Sequence, residues 1–100
     1  MQYLREFKFS ILDDGRHYGE GLEGEQVLLQ GVVDCFMIEP DGITILDFKT
    51  DHVTESTLPD LITRYAPQVV TYAEALSRIY EMPVKEKYLY FFKLDRLVSV

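Results

Sequence analysis

The sequence predicts an α/β domain of the α+β type, a mixed β-sheet with helices packed on it. Three features carry that expectation. Phe7, Phe9 and Ile11 alternate with polar neighbours; two apolar runs, Val27 to Ile38 and Ile43 to Phe48, flank the turn Pro40-Asp41-Gly42; and Val69, Ala73, Leu76 and Tyr80 recur at helical spacing. A period of two is the mark of a half-buried strand, and a stripe at three and four residues is the mark of a helix lying on a core.

Taken in order, a first strand is expected over about 6–12. A mobile loop should follow, because Asp13-Asp14-Gly15 leads into a stretch holding Gly19, Gly21, Gly24 and several glutamates. The two apolar runs should pair as an antiparallel hairpin about Pro40-Asp41-Gly42. Residues 51–57 are polar and read as loop, with a short helix possible over about 58–64. A better helix runs from about Pro67 to Tyr80, since proline suits a first turn where its missing N–H has no partner anyway. Glu81-Met82-Pro83 should end it. The aromatic segment 86–93, EKYLYFFK, reads as a buried strand, and Leu97 to Val100 as a short edge strand.

Bulk composition narrows the function. One hundred residues, 47% hydrophobic and 27% charged, suffice for one small folded domain. No apolar run approaches the roughly 18 residues of a membrane span, and Arg5 without an apolar run after it excludes a signal peptide. The expectation is a cytoplasmic protein with no membrane partner. The single cysteine, Cys35, excludes an internal disulfide and an all-cysteine zinc or iron–sulfur site. The net charge of −7 argues against a broad basic surface for nucleic acid. It suits solubility, and it equally suits carboxylates that bind a hard cation.

Chemistry concentrates in the hairpin, in Gly31-Val32-Val33-Asp34 and Leu46-Asp47-Phe48-Lys49-Thr50. Asp47 and Lys49 are two apart and share a face; alternation places Asp34 on the face of Val32, Phe36 and Ile38. With a two- or four-residue loop, Ile38 faces Ile43 and Asp34 faces Asp47. A three-residue loop with a glycine bulge would set Asp34 opposite Phe48 instead. In the first register the two Cβ atoms would lie about 4.5–5.5 Å apart, and two carboxylates so close repel unless something neutralises them. A divalent cation does so, with Lys49 neutralising part of the remainder. The plain alternatives are a solvated aspartate on an outer face and a surface ion pair of little energetic worth. Against the first, both acids are flanked by apolar residues, where an unpartnered charge is costly.

The ordered set GVVD, LDFKT, QVVTYAEAL and YLYFF resembles the PD-(D/E)XK nuclease superfamily, a restriction-endonuclease-like core. Within it the set most resembles the RecB-type nuclease domain at the C-terminus of helicase–nuclease subunits of the AddA/RexA kind. The resemblance runs from REFKFSI to YLYFF. It implies a Mg²⁺-dependent deoxyribonuclease, with Mn²⁺ as the alternative metal, in the exonuclease subunit of a double-strand-break repair and recombination machine. Asp34 and Asp47 match the metal ligands, the Phe48 backbone carbonyl is a third donor, and Lys49 matches the catalytic lysine. Gln68 and Tyr72 match a Gln-x-x-x-Tyr motif and would support the site or touch DNA; one helical turn apart, they share a face. Glu6 resembles a glutamate that precedes the family's first strand, with no role assigned.

The implied partners are DNA, a helicase portion of the same chain and a second nuclease or helicase subunit. Residues 1–100 would then be a truncated nuclease core cut from a larger subunit, as the missing closing helix also suggests. The family's upstream metal-binding histidine has no match: His17 lies in the glycine-rich loop and His52 follows the lysine motif. No Gly-Lys-Ser/Thr phosphate loop is present, so this segment is not itself an ATPase. Two alternatives remain at this level. One is a catalytically silent DNA-end-binding or scaffold module of the same fold. The other is a small α/β protein whose paired acids are structural.

Overall fold

The computed structural model describes residues 2–15 and 19–100. Five strands form one sheet: β1 (Gln2–Asp14), β2 (Gln26–Glu39), β3 (Gly42–Lys49), β4 (Val84–Phe91) and β5 (Arg96–Ser99), in spatial order β1-β2-β3-β4-β5. One helix, α1 (Leu58–Tyr80), crosses between β3 and β4. That crossover makes β3–β4 the parallel pair, as a long helical connection requires; the other neighbours are antiparallel. The expected mixed sheet is therefore present, with a single helix among the described residues.

The hairpin takes the register without a bulge: Ile38 pairs with Ile43, and Cys35 with Leu46. The β1–β2 ladder holds one offset from Gln2↔Ile38 to Asp14↔Gln26 but omits the step at Glu6 and Asp34. There Glu6 adopts φ 52°, a left-handed conformation uncommon for a residue with a side chain. Core-facing residues change parity across this step on both strands. Leu4 and then Phe7 face the core on β1; Val33 and then Phe36 do so on β2. Strict alternation would not allow that spacing. This corrects the expected face: Val32 is 41% exposed, while Val33 is fully buried, and Asp34 sits at the switch. Glu6 also lies within β1, not before it.

The two shorter helices expected over 58–64 and 67–80 are replaced by a continuous 23-residue helix, with Pro67 inside it. Proline there removes one helical hydrogen bond and crowds the carbonyl of Thr63, at a cost of about 3 kcal/mol. Burial on both sides of the proline offsets it. Leu58 lies before it, and Val69, Tyr72, Ala75 and Leu76 after it, all buried against the sheet. Glu81, at φ 53°, closes the helix by donating its N–H to Ser77 O.

The core lies between α1 and one sheet face, around Phe9, Val33, Phe36, Ile43, Ile45, Leu89 and Phe91. On the opposite face Tyr3, Arg5, Leu46, Phe48, Tyr90, Phe92 and Leu97 line an open apolar concavity of about 560 Å³. Among the described residues no helix is long and apolar enough to cross a membrane.

Candidate active site

β3 is the central strand, and it brings the hairpin chemistry under α1. Phe36↔Ile45 and Cys35↔Leu46 hold it on one side, and the parallel pairs Asp47↔Leu89 and Lys49↔Phe91 on the other. Asp47 continues the inward face of Ile43 and Ile45 and is 3% exposed. On β2 the backbone pairing with β3 extends to Cys35↔Leu46, and the next contact is made by a side chain. The backbone N–H of Phe48 donates to Asp34 Oδ2 at 2.9 Å.

Asp34 and Asp47 therefore converge, and the electrostatics register it. Burial pushes the Asp47 carboxyl above the usual aspartate range, and the neighbouring Asp34 carboxylate adds to the rise, while the Lys49 ammonium pulls it back down. Lys49 Nζ lies 2.8 Å from Asp47 Oδ2. The contact is an ion pair, and Oδ2 has no other polar partner among the described residues. A buried carboxylate oxygen left with lone pairs to spare is costly unless a cation takes them.

From the helix, Gln68 Oε1 accepts a hydrogen bond from Lys49 Nζ at 2.9 Å. Tyr72 is buried, its ring edge-to-face with Phe9 at 5.8 Å between centroids and close against Gly31. Burial raises its hydroxyl pKa, and the charges of Asp47 and Asp34 add to the rise. Gln68 thus touches the lysine, whereas Tyr72 lies beneath the acids with its ring in the core.

Two residues that sequence reasoning passed over also belong here. Tyr65 presents its ring to Lys49 Nζ, 4.1 Å from the ring centroid, and its hydroxyl donates to Asp51 Oδ2 at 2.7 Å. Tyr65 precedes Gln68 by three residues, so one more step along the same helix face would have found it. Of the histidines, His52 is exposed beyond β3, and His17 lies outside the described residues.

The sequence profile of the PD-(D/E)XK nuclease superfamily matches residues 2–98. The chain belongs to the PD-(D/E)XK nuclease superfamily. It is 41% identical over 106 aligned residues to an ATP-dependent helicase/nuclease subunit of Bacillus thuringiensis (strain Al Hakam), covering 96% of this chain. It is 48% identical over 80 residues to the protein of that name from Acetivibrio thermocellus, covering 80% of this chain. The chain spans 8% and 6% of the length of those two relatives.

PD-(D/E)XK nucleases generally use divalent metals, and the donors present fit one. Mg²⁺ favours hard oxygen ligands and commonly takes only one or two carboxylates, leaving its other positions to water and phosphate. Asp34 and Asp47 supply two, one with a buried oxygen that only the Lys49 ammonium meets. Among the described residues no group of three or more His, Cys, Asp or Glu side chains forms a fuller cage.

Proposed function

We propose that this chain is the catalytic core of a Mg²⁺-dependent deoxyribonuclease and that it serves as the nuclease portion of an ATP-dependent helicase/nuclease. The observation that carries this reading is the convergence of Asp34, Asp47 and Lys49 at the centre of the sheet, with Asp47 Oδ2 buried and met only by the Lys49 ammonium. The match to proteins named as subunits of an ATP-dependent helicase/nuclease supports the larger setting. In that setting residues 1–100 form one nuclease-core domain. The helicase portion of the same chain, and a second nuclease or helicase subunit, supply the motor and most of the grip on DNA during double-strand-break repair and recombination. The acidic charge of this domain agrees with that division of labour.

Asp34 and Asp47 hold the cation, with the Phe48 backbone carbonyl as a third donor. When bound, the metal supplies a Lewis acid and acidifies a water for phosphodiester hydrolysis. The protein's own groups do the rest. The Phe48 N–H orients the Asp34 carboxylate. Lys49 sets a positive charge beside the acids, where a scissile phosphate would gain negative charge. Gln68 holds that ammonium from the helix side, and Tyr72 packs beneath the acids.

The test is DNA cleavage with Mg²⁺ or Mn²⁺ by wild type, Asp47→Ala and Lys49→Ala. Each substitution should lower the rate by about 10²-fold or more. Equal degradation by wild type and Asp47→Ala would overturn the assignment and leave a binding or scaffold role.

A further inference from the structure

Lys49 reaches its neighbours through three contacts of different kinds. Asp47 Oδ2 lies 2.8 Å away, Gln68 Oε1 accepts at 2.9 Å, and the Tyr65 ring centroid lies 4.1 Å from Nζ. Under the nuclease reading the first of these weakens when a cation binds. A carboxylate oxygen that gives its electrons to a divalent cation holds an ammonium less strongly. The lysine must then keep its place by the two helix contacts. Gln68 is a single neutral acceptor on an exposed bond. Tyr65 offers a ring face, and that face is itself fixed. Its hydroxyl donates to Asp51 Oδ2 at 2.7 Å, and Asp51 sits two residues beyond Lys49 on the segment leaving β3. The brace closes on itself, from Lys49 to the ring, from the hydroxyl to Asp51, and back along the chain. A hydroxyl donating to a carboxylate also leaves its ring richer in electrons, and a richer ring attracts a cation more strongly.

We propose that Tyr65, held by Asp51, is a positioning residue that keeps the Lys49 ammonium in place when Asp47 is engaged by a cation. Its effect on rate rests on the nuclease reading; its effect on the order of Lys49 does not. The bland alternative is that Tyr65 only packs against the core, which it partly does.

Three variants separate the two. Tyr65→Leu keeps apolar bulk and removes the ring face, Tyr65→Phe keeps the ring and removes the hydroxyl, and Asp51→Ala removes the acceptor. The first readout is the order of the Lys49 side chain, from ¹³Cε relaxation with saturating Mg²⁺ and, so that it does not depend on metal binding, in metal-free protein carrying Asp47→Asn. The second is single-turnover DNA cleavage with Mg²⁺, alongside DNA affinity. Tyr65→Leu should loosen Lys49 and slow cleavage about tenfold or more, with DNA affinity within about twofold. Tyr65→Phe and Asp51→Ala should loosen Lys49 less and slow cleavage less. Lys49 as well ordered in Tyr65→Leu as in wild type overturns the proposal. Should the leucine variant unfold, the other two decide, and unchanged order of Lys49 in both overturns it. Loss of order in Tyr65→Leu, in a wild-type background that cuts no DNA, supports the positioning role while ending the nuclease reading.

Discussion

The backbone N–H of Phe48 donates to the carboxylate of Asp34, 2.9 Å from Oδ2, where the β2–β3 ladder would otherwise continue. One side chain thus serves as a strand-pairing group and as half of an acidic pair. The two roles separate by substitution. Asp34→Asn keeps a carbonyl oxygen for the Phe48 N–H and removes the charge; Asp34→Ala removes both. In metal-free protein the asparagine variant should match wild-type stability closely. The alanine variant should lose about 1–3 kcal/mol, the cost of leaving a donor unpaired. Denaturant unfolding measures both. If the two variants are equally stable, the hydrogen bond contributes nothing.

Asp47 predicts a pH dependence with a definite sign. Its folded-state pKa is raised by burial and by Asp34, so the fold prefers the protonated form. A carboxyl raised in this way imposes no penalty below its unfolded pKa, near 3.9, and costs stability as pH rises through the folded value. In the presence of a chelator, Asp47→Asn should therefore gain stability relative to wild type as pH rises from about 4 towards neutrality. Thermal midpoints of the two proteins across that range give the answer; a gap that narrows as pH rises contradicts it.

Adding the cation should reverse the order. A ligand that binds only the folded state stabilises it, by about 2.7 kcal/mol at a hundredfold excess over its Kd. Mn²⁺ or Mg²⁺ near neutral pH should raise the thermal midpoint of wild type and leave those of Asp34→Asn and Asp47→Asn nearly fixed. Ligand carboxylates must be ionised, so the shift should fade on acidification. A midpoint that rises equally in all three proteins would place the cation elsewhere.

Much of this site was legible in the sequence because strand alternation and hairpin geometry are short-range rules. The turn at Pro40-Asp41-Gly42 and the apolar runs beside it announced the hairpin and left two registers; the structure takes the one that sets Ile38 against Ile43, from which Asp34 and Asp47 fall at neighbouring positions. The face switch was not legible. It depends on Glu6 entering the left-handed region opposite Asp34, a backbone choice that nothing in the residue types announces. The long helix was hidden by Pro67, which local rules read as a start and tertiary burial carried through. Tyr65 and Asp51 were missed because a cation–ring contact needs two elements to meet. No single stretch of sequence contains that meeting.

Gly31 should tolerate no side chain. A Cβ at this position would lie 3.0 Å from Tyr72 Cε1 and 3.4 Å from the Phe9 ring. Tyr72 is buried and packed edge-on against Phe9, so it has no open direction in which to yield. Gly31→Ala should cost about 1–3 kcal/mol by overpacking. Because Tyr72 lies beneath the acids, the same variant should also weaken the cation-induced rise in midpoint. A neutral or stabilising effect in denaturant unfolding would mean that the Tyr72 ring moves freely.

Pro67 makes the opposite prediction. It is exposed within α1, so its replacement opens no core cavity. Alanine would restore the hydrogen bond to the Thr63 carbonyl and relieve the ring clash, a gain of about 3 kcal/mol; the freer unfolded chain offsets about 0.4–1 kcal/mol of it. Pro67→Ala should therefore raise stability by about 2 kcal/mol. Gln68 follows directly, and its Oε1 accepts from Lys49 across the gap to β3. Restoring that hydrogen bond re-sets the backbone one residue before Gln68 and so the amide carbonyl that Lys49 uses, and the more stable protein should be the slower nuclease. Thermal melting together with single-turnover cleavage reads both effects. A variant that gains stability with no loss of rate would show that Pro67 does not set the position of Gln68.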